Sequence, residues 1–147
     1  MTLIDKTAPS QTESLSFEID LRHPPEKVWR ALTEPALLAE WLLPVFGFKL
    51  ELDAAFAFKT QPQPGWDGTV NCRVLEIEPQ RKLRYTWVVG EALDTVVTFT
   101  LSPTDSGTRL SIVQSGFKPE QKQAFGGARY GWKMMGGKLV DLLGRAA

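Results

Sequence analysis

The sequence predicts an α+β domain: an antiparallel sheet with one long helix laid across it. Three observations carry this. Apolar and polar residues alternate in about seven segments between Ser14 and Gln114, the period-two signature of half-buried strands. Short turn-rich stretches join most of these segments, which makes neighbouring strands antiparallel. Past Pro119 the apolar spacing changes to three and four, the period of a helix. A terminal helix across a single sheet is the simplest way to bury both apolar faces.

Taken in order, SLSFEIDLR points Leu15, Phe17, Ile19 and Leu21 one way and Ser14, Ser16, Glu18, Asp20 and Arg22 the other. His23, Pro24 and Pro25 end this strand. The prolines open a helix through EKVWRAL, because a proline in the first turn forfeits no hydrogen bond. Val28, Trp29 and Leu32 are its buried side. Pro35 opens a second short helix, PALLAEWLL, which carries Trp41 and stops at Pro44.

Strand material follows. VFGFKLEL places Phe46, Phe48, Leu50 and Leu52 on one face, and AAFAFKT does the same with Phe56 and Phe58. QPQPGWDG is a turn-rich loop carrying Trp66. In TVNCRVLEIEP the apolar phase slips between Val74 and Leu75, which predicts a bulge or a strong bend. KLRYTWVV aligns Leu83, Tyr85, Trp87 and Val89, and TVVTFTL aligns Val97, Phe99 and Leu101. SPTDSGT is a tight turn. TRLSIVQ then puts Leu110, Ile112 and Gln114 together. In the last segment, from about Pro119 to Leu143, Phe125, Ala128, Trp132, Met135, Leu139 and Leu142 form the helical stripe. Lys122, Arg129, Lys133 and Asp141 fall largely off it.

At 147 residues the chain is the size of one domain, and 43% hydrophobic content gives it a core to bury. Residues 1–13 read as a flexible tail and 14–147 as the domain. Lysine plus arginine equals aspartate plus glutamate, 17 against 17. Nucleic acid is therefore not an expected partner, because that role needs a basic surplus. No apolar run approaches the length that spans a bilayer, so membrane insertion is not expected either. Cys72 is the single cysteine, which allows no internal disulfide and suits a cytoplasmic protein.

Catalytic chemistry finds little support. Zinc sites need clustered cysteine and histidine, and the chain has only Cys72 and His23, on separate elements. No nucleophile elbow or phosphate loop is present, and no cofactor is expected. The carboxylate pairs Glu76 with Glu78 and Glu51 with Asp53 read as solvated outer faces. The polar residues of interest are Tyr85 and Gln114, with Asn71, Thr60 and Thr69. A buried glutamine must bond either to protein groups or to a polar atom of a ligand.

One stretch of the terminal helix stands out. GGARYGWKMMGG, residues 126–137, holds five glycines. Each costs about 1 kcal/mol relative to alanine in a helix interior. Glycine there admits close approach of a neighbouring backbone or of a ligand.

Four stretches, PPEKVWRALTEPALLAEWL, KLRYTW, GTRLSIVQSGF and GWKMMGGKLVDLL, occur in an order that resembles a known group. It is the SRPBCC superfamily, START-like and helix-grip in fold, and within it the branch named after the activator of heat-shock protein 90 ATPase. Two positions depart from the family's habit. Ala54 and Ala55 stand where members often carry a glycine pair, and Gln114 where they often carry histidine. The resemblance implies a helix-grip fold: a curved sheet, two short helices after the first strand, and a long C-terminal helix across the sheet with a cavity between.

That cavity gives the candidate ligand-binding residues. From the first half of the chain they are Trp41, Phe46, Phe48, Phe56, Phe58 and Trp66. Tyr85, Trp87, Phe99, Ile112 and Gln114 come from the later strands, and Trp132, Met135 and Leu139 from the helix. The expected function is non-catalytic binding of a small hydrophobic or aromatic ligand. Two alternatives remain: an enzyme of the polyketide cyclase or aromatase kind, and a partner that stimulates a chaperone ATPase, which the family name suggests.

Overall fold

Period-two alternation can bury a strand's apolar side only if its neighbours bury theirs on the same face. The computed structural model realises this as one curved antiparallel sheet of eight strands. It describes residues 3–62, 64 and 66–145. Met1, Thr2, Gln63, Gly65, Ala146 and Ala147 lie outside the described residues. Parts of the expected tail, of the QPQPGWDG loop and of the domain's C-terminus fall on them.

The elements in chain order are β1 (Ile4–Asp5), β2 (Ser14–Leu21), α1 (Pro25–Thr33), α2 (Pro35–Trp41), β3 (Val45–Phe46), β4 (Ala55–Lys59), β5 (Thr69–Glu78), β6 (Lys82–Val89), β7 (Leu93–Thr104), β8 (Gly107–Ser115) and α3 (Lys122–Arg145). The sheet runs β1-β2-β8-β7-β6-β5-β4-β3. α1 and α2 therefore carry the chain from β2 to the far edge, and hairpins return it strand by strand until β8 pairs with β2. This is the helix-grip α+β architecture that the motif order implies.

Both short helices start at prolines, as the sequence requires. They are tied together by Trp41, whose indole N–H donates to the Ala31 carbonyl at 2.8 Å. The fully buried Trp41 ring meets Phe99 edge-on at 6.3 Å. α3 packs on α1, α2 and β2. Lys27 of α1 donates to the Leu143 carbonyl at 2.8 Å, occupying one of the acceptors that every helix leaves open at its C-terminus. The expected break in β5 is present: its register against β6 shifts between Val74 and Glu76. Glu76 lies on the outer face with Lys82 and Arg84 at 3.4 and 3.5 Å. No helix among the described residues is long and apolar enough to cross a membrane.

Four expectations need correction. VFGFKLEL is not a strand beyond Phe46. Gly47 adopts a left-handed backbone, φ +73°, and ends the extended run. Phe46 is consequently 53% exposed and Leu52 64% exposed, and the Lys59 ammonium lies 5.2 Å from the Phe46 ring centroid. The tight turn in SPTDSGT shrinks to Asp105 and Ser106, because β7 and β8 stay paired as far as Thr104 and Gly107. α3 begins at Lys122, after a loop in which the Lys118 N–H donates to the Gln121 side chain at 2.8 Å.

The fourth correction concerns the N-terminal segment, which is not wholly a tail. Ile4 and Asp5 pair with Glu18 and Phe17 of β2. The Asp5 carboxylate then reaches α3, at 2.7 Å from Arg129 and 3.6 Å from Lys133. Leu3 fills a notch on the same helix: a Cβ at Gly136 would stand 2.6 Å from the Leu3 side chain. The alternation signal misses β1 because two residues are too few to show a period.

Burial pushes the Asp5 carboxyl upward, but the Thr7 N–H and hydroxyl and the Arg129 guanidinium outweigh it, leaving the carboxyl below its ordinary 3.8. A depressed carboxyl stabilises the fold above its unfolded value, and that stabilisation is lost as pH falls through the folded value. The pair is partly solvated, so its worth is about 0.5–1 kcal/mol. Asp5→Asn should lower the melting temperature by roughly 2–4 °C at neutral pH. The gap to the parent should close as pH is taken below 3.8. A pH-independent gap in a thermal melt series would show that the charge of Asp5 is not what holds α3.

Candidate functional site

Strand alternation sends Trp87 of β6, Thr95 of β7 and Gln114 of β8 to the concave face, and the helical stripe sends Trp132 to meet them. The Trp132 indole N–H donates to Gln114 Oε1 at 2.8 Å. Gln114 Nε2 donates to Thr95 Oγ1 at 3.0 Å. The Thr95 hydroxyl donates to the Trp87 carbonyl at 2.8 Å. The direction is forced. An indole N–H only donates and a carbonyl only accepts, so the glutamine oxygen must face Trp132 and its nitrogen Thr95. Gln114 and Thr95 are each 1% exposed. Gln114 thus bonds to protein groups, and the chain of bonds stitches α3 to three strands.

Beside this relay lies a pocket of about 220 Å³. Leu43, Trp66, Val70, Trp87, Val89 and Leu93 wall it on one side, and Gly127, Ala128, Gly131, Trp132 and Met135 of α3 on the other. Thr60 and Gln114 are its polar side chains, and no charged residue lines it among those described. Thr60 and Gly127 are exposed and mark the mouth. The indole N–H of Trp66 donates to the Thr69 carbonyl at 2.9 Å, which fixes that ring on its loop. A wider cleft of about 550 Å³ between α2 and α3 is lined by Glu40, Lys138, Asp141 and Arg145. Its walls are solvated charges, unsuited to an apolar molecule.

Of the fourteen candidate residues, Trp66, Trp87, Gln114, Trp132 and Met135 line the pocket. Phe56, Phe58, Tyr85 and Phe99 form a contiguous aromatic cluster beneath it. Ring centroids are 5.1 Å apart for Phe56 and Tyr85, 5.8 Å for Tyr85 and Phe99, and 6.0 Å for Phe99 and Trp132. Phe48 packs edge-on against Phe56 at 4.9 Å. Ile112 and Leu139 are fully buried core, and Trp41 is core between the helices and the sheet. Phe46 lies on the exposed sheet edge. Leu43, Val70, Val89 and Leu93 line the pocket without having been candidates. Leu93 was within reach of the pattern, since it and Thr95 extend the alternation of Val97, Phe99 and Leu101 by two steps.

The titratable groups of the core are held neutral. The Tyr85 hydroxyl is buried without a hydrogen-bond partner. Burial first, and the neighbouring Cys72 second, push it well above its ordinary value. Burial likewise pushes the Cys72 thiol far up, which disfavours the thiolate, the nucleophilic form. His23 lies outside the pocket lining, and the Lys27 ammonium stands 3.2 Å from its Nδ1. Burial and that charge lower its basicity. No group of three or more potential metal ligands exists among the described residues.

The model of the family described as "Activator of Hsp90 ATPase homolog 1-like protein" matches residues 22–144. Among solved structures, protein MLL2253 from Mesorhizobium loti is 43% identical with a TM-score of 0.84, the match covering 91% of this chain and 98% of that one. Protein CV1439 from Chromobacterium violaceum is 28% identical with a TM-score of 0.73, covering 91% and 99%. DynU16, a protein of the dynemicin biosynthetic locus, shares the fold at 21% identity and a TM-score of 0.77, covering 92% of this chain and 48% of that one. No curated protein matches the chain.

Two substitutions separate the roles of the buried polar groups. Gln114→Leu strands the Trp132 N–H in an apolar core and should cost about 1–3 kcal/mol in denaturant unfolding. Combined with Trp132→Phe, which removes the stranded donor, the loss should be less than the sum of the two single losses; strict additivity would mean that the relay contributes nothing. Tyr85→Phe removes an unpartnered hydroxyl and should leave stability unchanged or raise it by up to about 1 kcal/mol. A loss of stability would mean that the hydroxyl has a partner in solution.

Proposed function

The chain belongs to the family of activator of Hsp90 ATPase homolog 1-like proteins, and on that premise we propose that it is a non-catalytic binding protein for a small hydrophobic or aromatic molecule. The ligand sits in the pocket between the sheet and α3. The observation that carries this reading is the pocket's lining: tryptophan, aliphatic and methionine side chains around two polar groups, one already engaged in the relay. Concave, mostly apolar sites with a few placed polar groups are the usual form of small-molecule sites. Met135 adds a flexible, polarisable wall that adapts to ligand shape.

The chemistry of the site supports binding over catalysis. A general acid or base works best with a pKa near the operating pH. Cys72 and Tyr85 are both held far above it, and neither lines the pocket. What the pocket offers is desolvation. An aromatic ligand that buries about 150 Å² of apolar surface gains roughly 4 kcal/mol at about 25 cal/mol per Å². The cost of immobilising the ligand offsets part of this gain, so fit to the walls and the available hydrogen bond decide the net affinity.

Native mass spectrometry of gently purified protein, followed by denaturation of the same sample, is the direct test. A reproducible added mass, lost on denaturation, is the expected result. In parallel, titration with indole or naphthalene should shift the NMR signal of the Trp132 indole N–H. A bare chain mass, together with an unmoved Trp132 signal at saturating probe, would overturn the binding reading.

A further inference from the structure

Glycine stands in a helix at a cost, and three circumstances can require it: a left-handed backbone, a crowding neighbour, or a need for empty space. The glycines of α3 are helical, which removes the first. Gly136 has the second, since Leu3 occupies the place of its side chain. At Gly126, Gly127 and Gly137 an added Cβ meets nothing within 4 Å, and at Gly131 it meets only the Met135 methyl at 4.0 Å, an ordinary contact. Gly126, Gly137 and Gly144, the last also with nothing near an added Cβ, face solvent and do not line the pocket, so none of the three circumstances applies to them. Gly127 and Gly131 do line it.

Gly127, Gly131 and Met135 are spaced by four residues and form one row along the helix. A helical side chain leans over the turn before it, so Met135 lies back over Gly131. The room that side chains at 127 and 131 would fill is therefore pocket room. A methyl group displaces roughly as much as a water molecule, about 30 Å³, so one at Gly131 would remove about a seventh of the 220 Å³, and one at the exposed Gly127 would narrow the mouth. An apolar cavity of about 150 Å³ accepts benzene, so the pocket as it stands fits one ring or two fused rings.

We infer that the absent side chains at Gly127 and Gly131 set ligand size, and that the ligand is a neutral, flat aromatic of one or two fused rings with a single hydrogen-bonding group. This rests on the binding reading above. Neutrality follows from the lining, which offers no charge to offset the desolvation of an ion. The single polar group follows from Gln114, the buried polar side chain of the lining, which keeps one N–H and one lone pair beyond those spent in the relay, whereas Thr60 lies exposed at the mouth. Gly127, at the mouth, governs entry, and Gly131, further in, governs depth.

Calorimetric titration with indole, 2-naphthol and 1-naphthoate tests this on the parent, Gly131→Ala, the Gly127→Ala/Gly131→Ala pair and Gly137→Ala as the helix control. All three variants should melt above the parent, since each alanine favours the helix. The parent should bind indole and 2-naphthol, and should bind 1-naphthoate at least about tenfold more weakly than 2-naphthol. Gly131→Ala should weaken 2-naphthol by about tenfold or more and indole by less than about threefold; the pair should lose 2-naphthol entirely, and Gly137→Ala should match the parent. If the glycine variants bind 2-naphthol as the parent does, or if 1-naphthoate binds as well as 2-naphthol, the inference falls and the binding reading stands. If the parent binds none of the probes, the binding reading itself falls.

Discussion

The relay from Trp132 through Gln114 and Thr95 to the Trp87 carbonyl is the interaction on which the rest of this structure depends. It lies in an apolar core, where an unpartnered polar group costs more than a made bond returns. Each member must therefore find the next. Because the indole can only donate and the carbonyl can only accept, the relay runs in one direction and fixes the rotation of α3 about its own axis. A helix held only by apolar contacts has no such pin.

That rotation gives α3 two distinct faces. One carries Gly127, Gly131 and Met135 over the pocket. The other presents Arg129, Lys133 and Gly136 to the N-terminal strand, where Asp5 and Leu3 meet them. The glycine-rich stretch thus has no single explanation. Gly136 makes room for a neighbour from the chain's own N-terminus, whereas Gly127 and Gly131 leave room that nothing in the chain occupies. A helix that keeps such gaps on its inner face gives up stability that alanine would supply.

The concave face also divides by depth. Deep in the sheet, Phe56, Phe58, Tyr85 and Phe99 pack on one another with ring separations of about 5–6 Å and leave little free volume. Nearer the mouth, smaller residues and the tryptophans Trp66, Trp87 and Trp132 stand around the pocket. The buried Tyr85 hydroxyl lies in the filled part, so its chemistry is separated from anything the pocket holds.

The sequence by itself determined most of the elements. Alternation in residues 14–21, 82–89 and 107–115, prolines at positions 25 and 35, the slipped phase at Val74 and the helical stripe after residue 121 are local patterns, and local periodicity is what a linear chain displays. It also marked Gln114 and Trp132 as inward-facing. Tertiary structure decided the remainder, because it depends on partners far apart in sequence. The sequence named two fates for Gln114 and could not choose, since the choice lies with Thr95 and Trp132, 19 and 18 residues away. It placed Phe46 inside by alternation, but burial needs a covering layer, and the chain turns away at Gly47. It left Asp5 in a tail, whereas its carboxylate meets Arg129, 124 positions on. It counted aromatics as the cavity, whereas the pocket is shaped as much by what Gly127 and Gly131 lack. Empty space is a property of several elements together, and no single segment encodes it.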